Sequence, residues 1–83
     1  MTKTEQKALK VLDINQASFF ALCGIPPILE LINGRVIFNF PVSNKIYRLM
    51  DNYNSNVNVP ILDFVTTLKS LRGQMLTMRS SNG

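Results

Sequence analysis

Lys45 and Arg48 stand three residues apart, Lys69, Arg72 and Arg79 recur along a later stretch, and Arg35 opens an alternating apolar run. Side chains of this type neutralise phosphates and release condensed counterions, which is the chemistry of salt-dependent nucleic-acid binding. Tyr47 precedes Arg48, and aromatics beside cations are able to stack on bases. At helical spacing Arg72 and Arg79 border an apolar stripe, whereas Lys69 points farther toward solvent. Cations in such positions also serve as a plain solvated face, with their aliphatic stems lying along a core edge. The pattern therefore permits phosphate contact without compelling it.

The same residue-by-residue reading argues against catalysis. The chain has no histidine, so the usual general base and the triads built on it are missing. Its five carboxylates, Glu5, Asp13, Glu30, Asp51 and Asp63, are dispersed, and nothing in their spacing makes two of them converge on a reacting atom. Serine and threonine hydroxyls lack an activating base unless a lysine supplies it. The glycines carry no phosphate-binding motif. Cys23 is the sole cysteine, which rules out a disulfide framework and a cysteine-based metal site and fits a small buried thiol. A non-enzymatic protein without cofactor, catalytic residue or metal ligand is expected.

Composition sets the outer bounds. Eighty-three residues make one small domain, near the size at which a partner helps to bury enough surface. With 46% hydrophobic and 17% charged residues the chain is globular in composition. Nine Lys and Arg against five Asp and Glu give a net charge of +4, compatible with phosphates, with an acidic protein, or with solubility alone. The opening MTKTEQKALK lacks the apolar core of a signal peptide, and no apolar run approaches the ~20 residues of a membrane span. A soluble, cytoplasmic protein that makes no membrane contact is expected.

The elements that must position these residues follow from punctuation and periodicity. Residues 1–6 read as a disordered tail, 7–79 as the domain, and 80–83 as a disordered end. ALKVL, 8–12, is a short strand with Leu9 and Val11 on one side and Lys10 on the other. DINQ, 13–16, has the form of a capping box, with Asp13 at the cap and Gln16 reaching back. The helix it starts has Ile14, Ala17, Phe20 and Ala21 as its apolar stripe and ends at Gly24, before Pro26 and Pro27. Ser43 caps a second helix with Ile46, Leu49, Met50 and Tyr53 on its apolar side. After the polar connector 53–59, Pro60 and Asp63 suit the first turn of a third helix. Its stripe runs through Ile61, Phe64, Val65, Leu68, Leu71, Met75 and Met78, with Gly73 as a weak point of roughly 1 kcal/mol relative to Ala.

Between the first two helices lies LINGRVIFNF, 31–40. Asn33-Gly34 between apolar runs signals a two-residue type I′ hairpin, because both central positions need positive φ. Its register places Ile32 opposite Arg35, Leu31 opposite Val36, Glu30 opposite Ile37, Leu29 opposite Phe38 and Ile28 opposite Asn39. Leu29, Leu31, Val36, Phe38 and Phe40 then share an apolar core face. Ile28, Glu30, Ile32, Arg35, Ile37 and Asn39 share the other, with Glu30 diagonal to Arg35 and in reach of a weak ion pair. The order β-α-β-β-α-α predicts a two-layer α+β domain, a three-stranded sheet with helices packed on one face. The mixed face is left uncovered, and contiguous exposed apolar surface usually marks an interaction site.

Several of these residues occur together in a pattern: Asp13 and Ala17 entering a helix with Phe19, Phe20 and Gly24, then Arg35 to Phe40, Tyr53-Asn54, Val57, Phe64 and Leu68-Lys69-Ser70-Leu71. Over about residues 8 to 76 the chain resembles a family of small bacterial and phage domains catalogued only as a domain of unknown function. The resemblance implies a compact domain and carries no activity or site residue with it. The adjacent Pro26 and Pro27 are a departure at the entry to the hairpin.

Two functions from different classes fit these features. The leading expectation is a small non-enzymatic basic protein, a nucleic-acid-binding accessory protein acting as a homodimer. It would contact DNA or RNA through Arg35, Lys45, Arg48, Lys69 and Arg72. No helix-turn-helix, zinc finger or RNA-binding signature is present, so sequence readout is not implied. The alternative is a protein-binding module of phage origin that docks on a host protein through Ile28, Ile32 and Ile37.

Overall fold

Asn33 and Gly34 adopt φ values of 52° and 79°, the pair of positive angles that a type I′ turn requires. On either side of them run two strands of the computed structural model, which describes residues 8–82. The element order is β1 (Ala8–Val11), α1 (Ile14–Leu22), β2 (Ile28–Ile32), β3 (Arg35–Pro41), α2 (Asn44–Asn54) and α3 (Ile61–Asn82). The chain is thus an α+β domain with one antiparallel sheet in the order β1-β3-β2. The hairpin register is the expected one, from Ile32 opposite Arg35 to Ile28 opposite Asn39. β1 adds on the other side of β3, with Val11 opposite Phe38, Lys10 opposite Asn39 and Leu9 opposite Phe40.

Local chemistry explains where the helices begin and end. The Asp13 carboxylate accepts the Asn15 N–H at 2.9 Å, one residue earlier than a capping box would use, and the reciprocal bond from Gln16 is not among the hydrogen bonds of the described residues. β1 correspondingly ends at Val11, leaving Leu12 exposed. At the far end of α1, the Gly24 N–H bonds the Ala21 carbonyl and the Ile25 N–H bonds the Phe20 carbonyl, both at 3.0 Å. With Gly24 at φ 99° this is a Schellman motif, and Ile25 completes it by packing against the core. Ser43 caps α2 by accepting the Ile46 N–H at 3.1 Å.

The core lies between the helices and one sheet face. Val11, Val36, Phe38 and Phe40 from the sheet meet Ala17, Phe19, Phe20, Ile46 and Leu71 from the helices, all buried. Phe20 meets Phe40 edge-on, with ring centroids 5.0 Å apart at 85°, a favoured geometry for paired aromatics. α1 is central, packing on both α2 and α3, while α3 also lies on β2 and β3.

Some expectations are corrected. Phe19 belongs to the core beside Phe20, because α1 is covered by α2 on one flank and α3 on the other and so buries a wider arc than one stripe. Ile61 is 65% exposed and does not join the buried stripe of α3. α3 runs without interruption through Gly73 to Asn82, past the expected end near 78. The expected tail at 1–6 and the final Gly83 lie outside the described residues. No described helix is long and apolar enough to cross a membrane.

Candidate nucleic-acid interface

Each of the five cations is held by a well-defined element. Arg35 begins β3, exposed, on the sheet face that the helices leave open. Lys45 and Arg48 are one turn apart on the outer side of α2 and flank a shallow concavity of about 400 Å³ with Leu49, Asp51 and Asn52. Ile46 between them is fully buried, which turns both cations outward. Lys69 and Arg72 are likewise exposed on α3, on either side of the buried Leu71. The fold therefore forms two cationic pairs, on α2 and on α3, with Arg35 set apart on the opposite side of the sheet.

Opposite charges are distributed unevenly among partners. The one ion pair among the described residues is Lys10 with Glu30, at 3.5 Å. None of Arg35, Lys45, Arg48, Lys69 and Arg72 has a carboxylate within ion-pair distance there. Three carboxylates, in contrast, are used by the fold, while Asp51 lines the concavity beside Lys45 and Arg48. Asp13 caps α1 and also accepts the Tyr53 hydroxyl at 3.3 Å. Asp63 sits in the first turn of α3, where the helix dipole favours it. Glu30 accepts Asn39 Nδ2 at 2.9 Å and Lys10 Nζ at 3.5 Å. The Asn39 bond, followed by the Lys10 charge, holds the Glu30 carboxyl below its ordinary value.

This arrangement corrects the expected Glu30–Arg35 pair. Lys10 takes the Glu30 carboxylate by reaching across Asn39 from β1, leaving Arg35 without an ion pair among the described residues. Sequence reasoning had Lys10 on the correct side of its strand. It missed the contact because the strand order, with β3 between β1 and β2, was not legible in β1 itself. The isoleucines of the open face are unequal: Ile28 is 75% exposed and Ile32 37%, while Ile37 is half-buried in the middle strand.

Tyr47 is exposed beside Arg48, where an aromatic face is available for stacking. Tyr53 is half-buried, its ring against Phe19 at 5.8 Å. Burial, then the Asp13 charge, push its phenol up, so it acts as a structural tie between α2 and the α1 cap. Cys23 is half-buried at the C-cap of α1, where burial pushes the thiol up and Lys45 pulls it back. Among the described residues no group of three or more potential metal ligands stands together.

Residues 6–77 match the family described as Domain of unknown function (DUF5659). The chain belongs to this family. No curated protein and no solved structure has significant similarity to it. For this DUF5659 domain the match agrees with the resemblance read from the motifs and names no ligand. Its function is therefore to be read from the chemistry of its surface.

Proposed function

We propose that this DUF5659 domain is a non-enzymatic, cytoplasmic accessory protein that binds the phosphate backbone of nucleic acid, acting as a homodimer. The observation that carries this reading is the asymmetry of its charges. The domain commits Asp13 to a cap, Glu30 to a sheet network and Asp63 to a helix N-terminus, and among the described residues none of the exposed Arg35, Lys45, Arg48, Lys69 and Arg72 has a carboxylate within ion-pair distance. Exposed cations of this kind exchange counterions for phosphates. Two copies would double the number of pairs available to one backbone. Tyr47 adds a stacking surface next to Arg48.

The test is fluorescence anisotropy with labelled single- and double-stranded DNA and RNA across a salt series. Affinity that falls steeply and linearly with the logarithm of salt supports backbone contact. Absence of binding at low salt overturns it.

A second reading is favoured by the open sheet face, where Ile28 and Ile32 are exposed beside Arg35. Isolated exposed isoleucines are ordinary, but two on one edge strand next to a cation form a small mixed patch suited to a protein partner. Under this reading the domain is a phage-derived module that docks on a host protein. Ile37→Asp then abolishes partner capture while Lys69→Glu leaves it intact; the reverse pattern in a nucleic-acid assay favours the first reading.

A further inference from the structure

The edge strand β2 offers a second copy of the chain a specific seat. Because Ile32 and Arg35 flank a two-residue turn, they form a hydrogen-bonded pair, and bonded and non-bonded pairs alternate from there. Ile28, Glu30 and Ile32 thus direct their backbone groups toward β3. Leu29 and Leu31 direct theirs outward, on a strand with no further neighbour among the described residues. Under this free edge a groove of about 760 Å³ opens between β2 and the C-terminal half of α3, lined by Leu29, Leu31, Gly73, Gln74, Thr77 and Met78. A strand edge and an apolar groove on the same side are the two parts that strand addition uses.

The side chains of β2 select both the occupant and the register. A two-fold antiparallel pairing that bonds the outward groups has its centre on Leu29, Glu30 or Leu31. Centring on Leu29 sets Pro27 against Leu31 of the copy, at a position that needs an N–H. Centring on Glu30 opposes two carboxylates directly, which is destabilising. Centring on Leu31 does neither: Glu30 faces Ile32 of the copy, and Arg35 of the copy lies one strand farther on the same face.

That last relation supplies charge complementarity. Both hydrogen bonds to Glu30 land on Oε1, so Oε2 has no partner among the described residues, and neither does the Arg35 guanidinium. The span from Glu30 to the copy's Arg35 is two strand spacings. Lys10 already bridges the same number of strands, from β1 to β2, to reach Glu30 at 3.5 Å.

The helices also fit. α3 lies over both β2 and β3, so a two-fold axis just outside β2 brings it beside its copy at about the 8–10 Å of packed helices. Gly73 lines the groove at this seam, and even a methyl group placed there would meet nothing within 4 Å, which leaves room for the approach.

We infer that two copies of this domain pair antiparallel along β2, centred on Leu31, forming one continuous sheet in which α3 of each copy closes the groove of the other. This deepens the dimeric part of the proposed function and does not depend on nucleic-acid binding. In this register Glu30, Leu31 and Ile32 lie opposite strand residues of the copy while Leu29 meets the turn residue Asn33, so the short pairing and one helix flank place the interface at the small end of the range, below about 1,200 Å², and dimerisation is followed at up to about 1 mM protein.

The experiment is sedimentation velocity on the full chain over that range, with NMR on a half-labelled, half-unlabelled mixture. The expected result is a dimer with an intermolecular cross-peak between the α-protons of Glu30 and Ile32. Within one strand their Cα atoms are about 7 Å apart, whereas across a non-bonded antiparallel pair they are about 4.5 Å apart. Arg35→Glu, which faces the copy's Glu30, weakens association about tenfold or more, Arg35→Lys retains it, and Ile37→Asp on the open face leaves it unchanged. A monomer at every concentration overturns both this pairing and the dimeric reading. A dimer that lacks the cross-peak and is lost in Ile37→Asp overturns the edge pairing alone, because the copies then meet through the sheet face.

Discussion

Ser18 is the buried polar residue of the core, and its hydroxyl oxygen has no hydrogen-bond partner among the described residues. A buried unsatisfied hydroxyl costs about 1–3 kcal/mol, and alanine is the better helix former. Ser18→Ala should therefore raise stability by about 1 kcal/mol, read as a higher urea midpoint with an unchanged slope. Glu30 gives a pH prediction of known sign. Its folded carboxyl titrates below its ordinary value of 4.5, so the stability it contributes is present above that value and is lost as pH falls through the depressed one. The Asn39 bond is the largest single cause and Lys10 adds both its charge and a bond, so Asn39→Ala and Lys10→Ala should each move the Glu30 carboxyl resonance titration upward. An unchanged titration in Asn39→Ala would overturn the short bond from Asn39 as a cause of the depression.

At the scale of elements, two glycines have opposite roles in equally open space. A methyl group at Gly34 or at Gly73 would meet nothing within 4 Å, so sterics with neighbours do not distinguish them. Backbone conformation does. Gly34 has φ 79° in the hairpin turn, where an L side chain costs about 1–2 kcal/mol. Gly73 is inside α3, where alanine is favoured by about 1 kcal/mol. Gly34→Ala should lower the unfolding midpoint and Gly73→Ala raise that of the monomer, both followed by circular dichroism. Elements whose signals are local were legible in the sequence: the Asn-Gly turn, the Ser43 cap, the Gly24 terminus and the alternation along β3 all use residues within a few positions of one another. The arc of α1 that is buried was not, because it depends on α2 and α3 arriving from later in the chain.

At the scale of the whole molecule, the proposed function rests on charges whose pairing no local rule sets. The cations of α2 and α3 point outward because Ile46 and Leu71 point inward, and that much follows from helical spacing. That none of them has a carboxylate within ion-pair distance among the described residues follows from where Asp13, Glu30 and Asp63 went. If the backbone-binding reading holds, Lys69→Glu with Arg72→Glu should weaken binding to all sequences alike. The slope of log affinity against log salt should become shallower by about 0.9 for each phosphate contact removed on duplex DNA. A loss of affinity with an unchanged salt slope would point to misfolding or to a contact other than phosphate.

By itself the sequence determined the element order, the hairpin register, the two faces of the sheet and the outward direction of the five cations. Each of these depends on periodicity or on turn chemistry within a short window. Only the tertiary structure decided that β3 lies between β1 and β2, that Lys10 displaces Arg35 as the partner of Glu30, and that β2 has a free edge above a groove walled by α3. These relations join residues far apart in the chain, such as Lys10 with Glu30 and Leu31 with Gly73, through packing on a shared core. No local pattern encodes that packing, because it is settled by which apolar faces meet once the whole chain has collapsed.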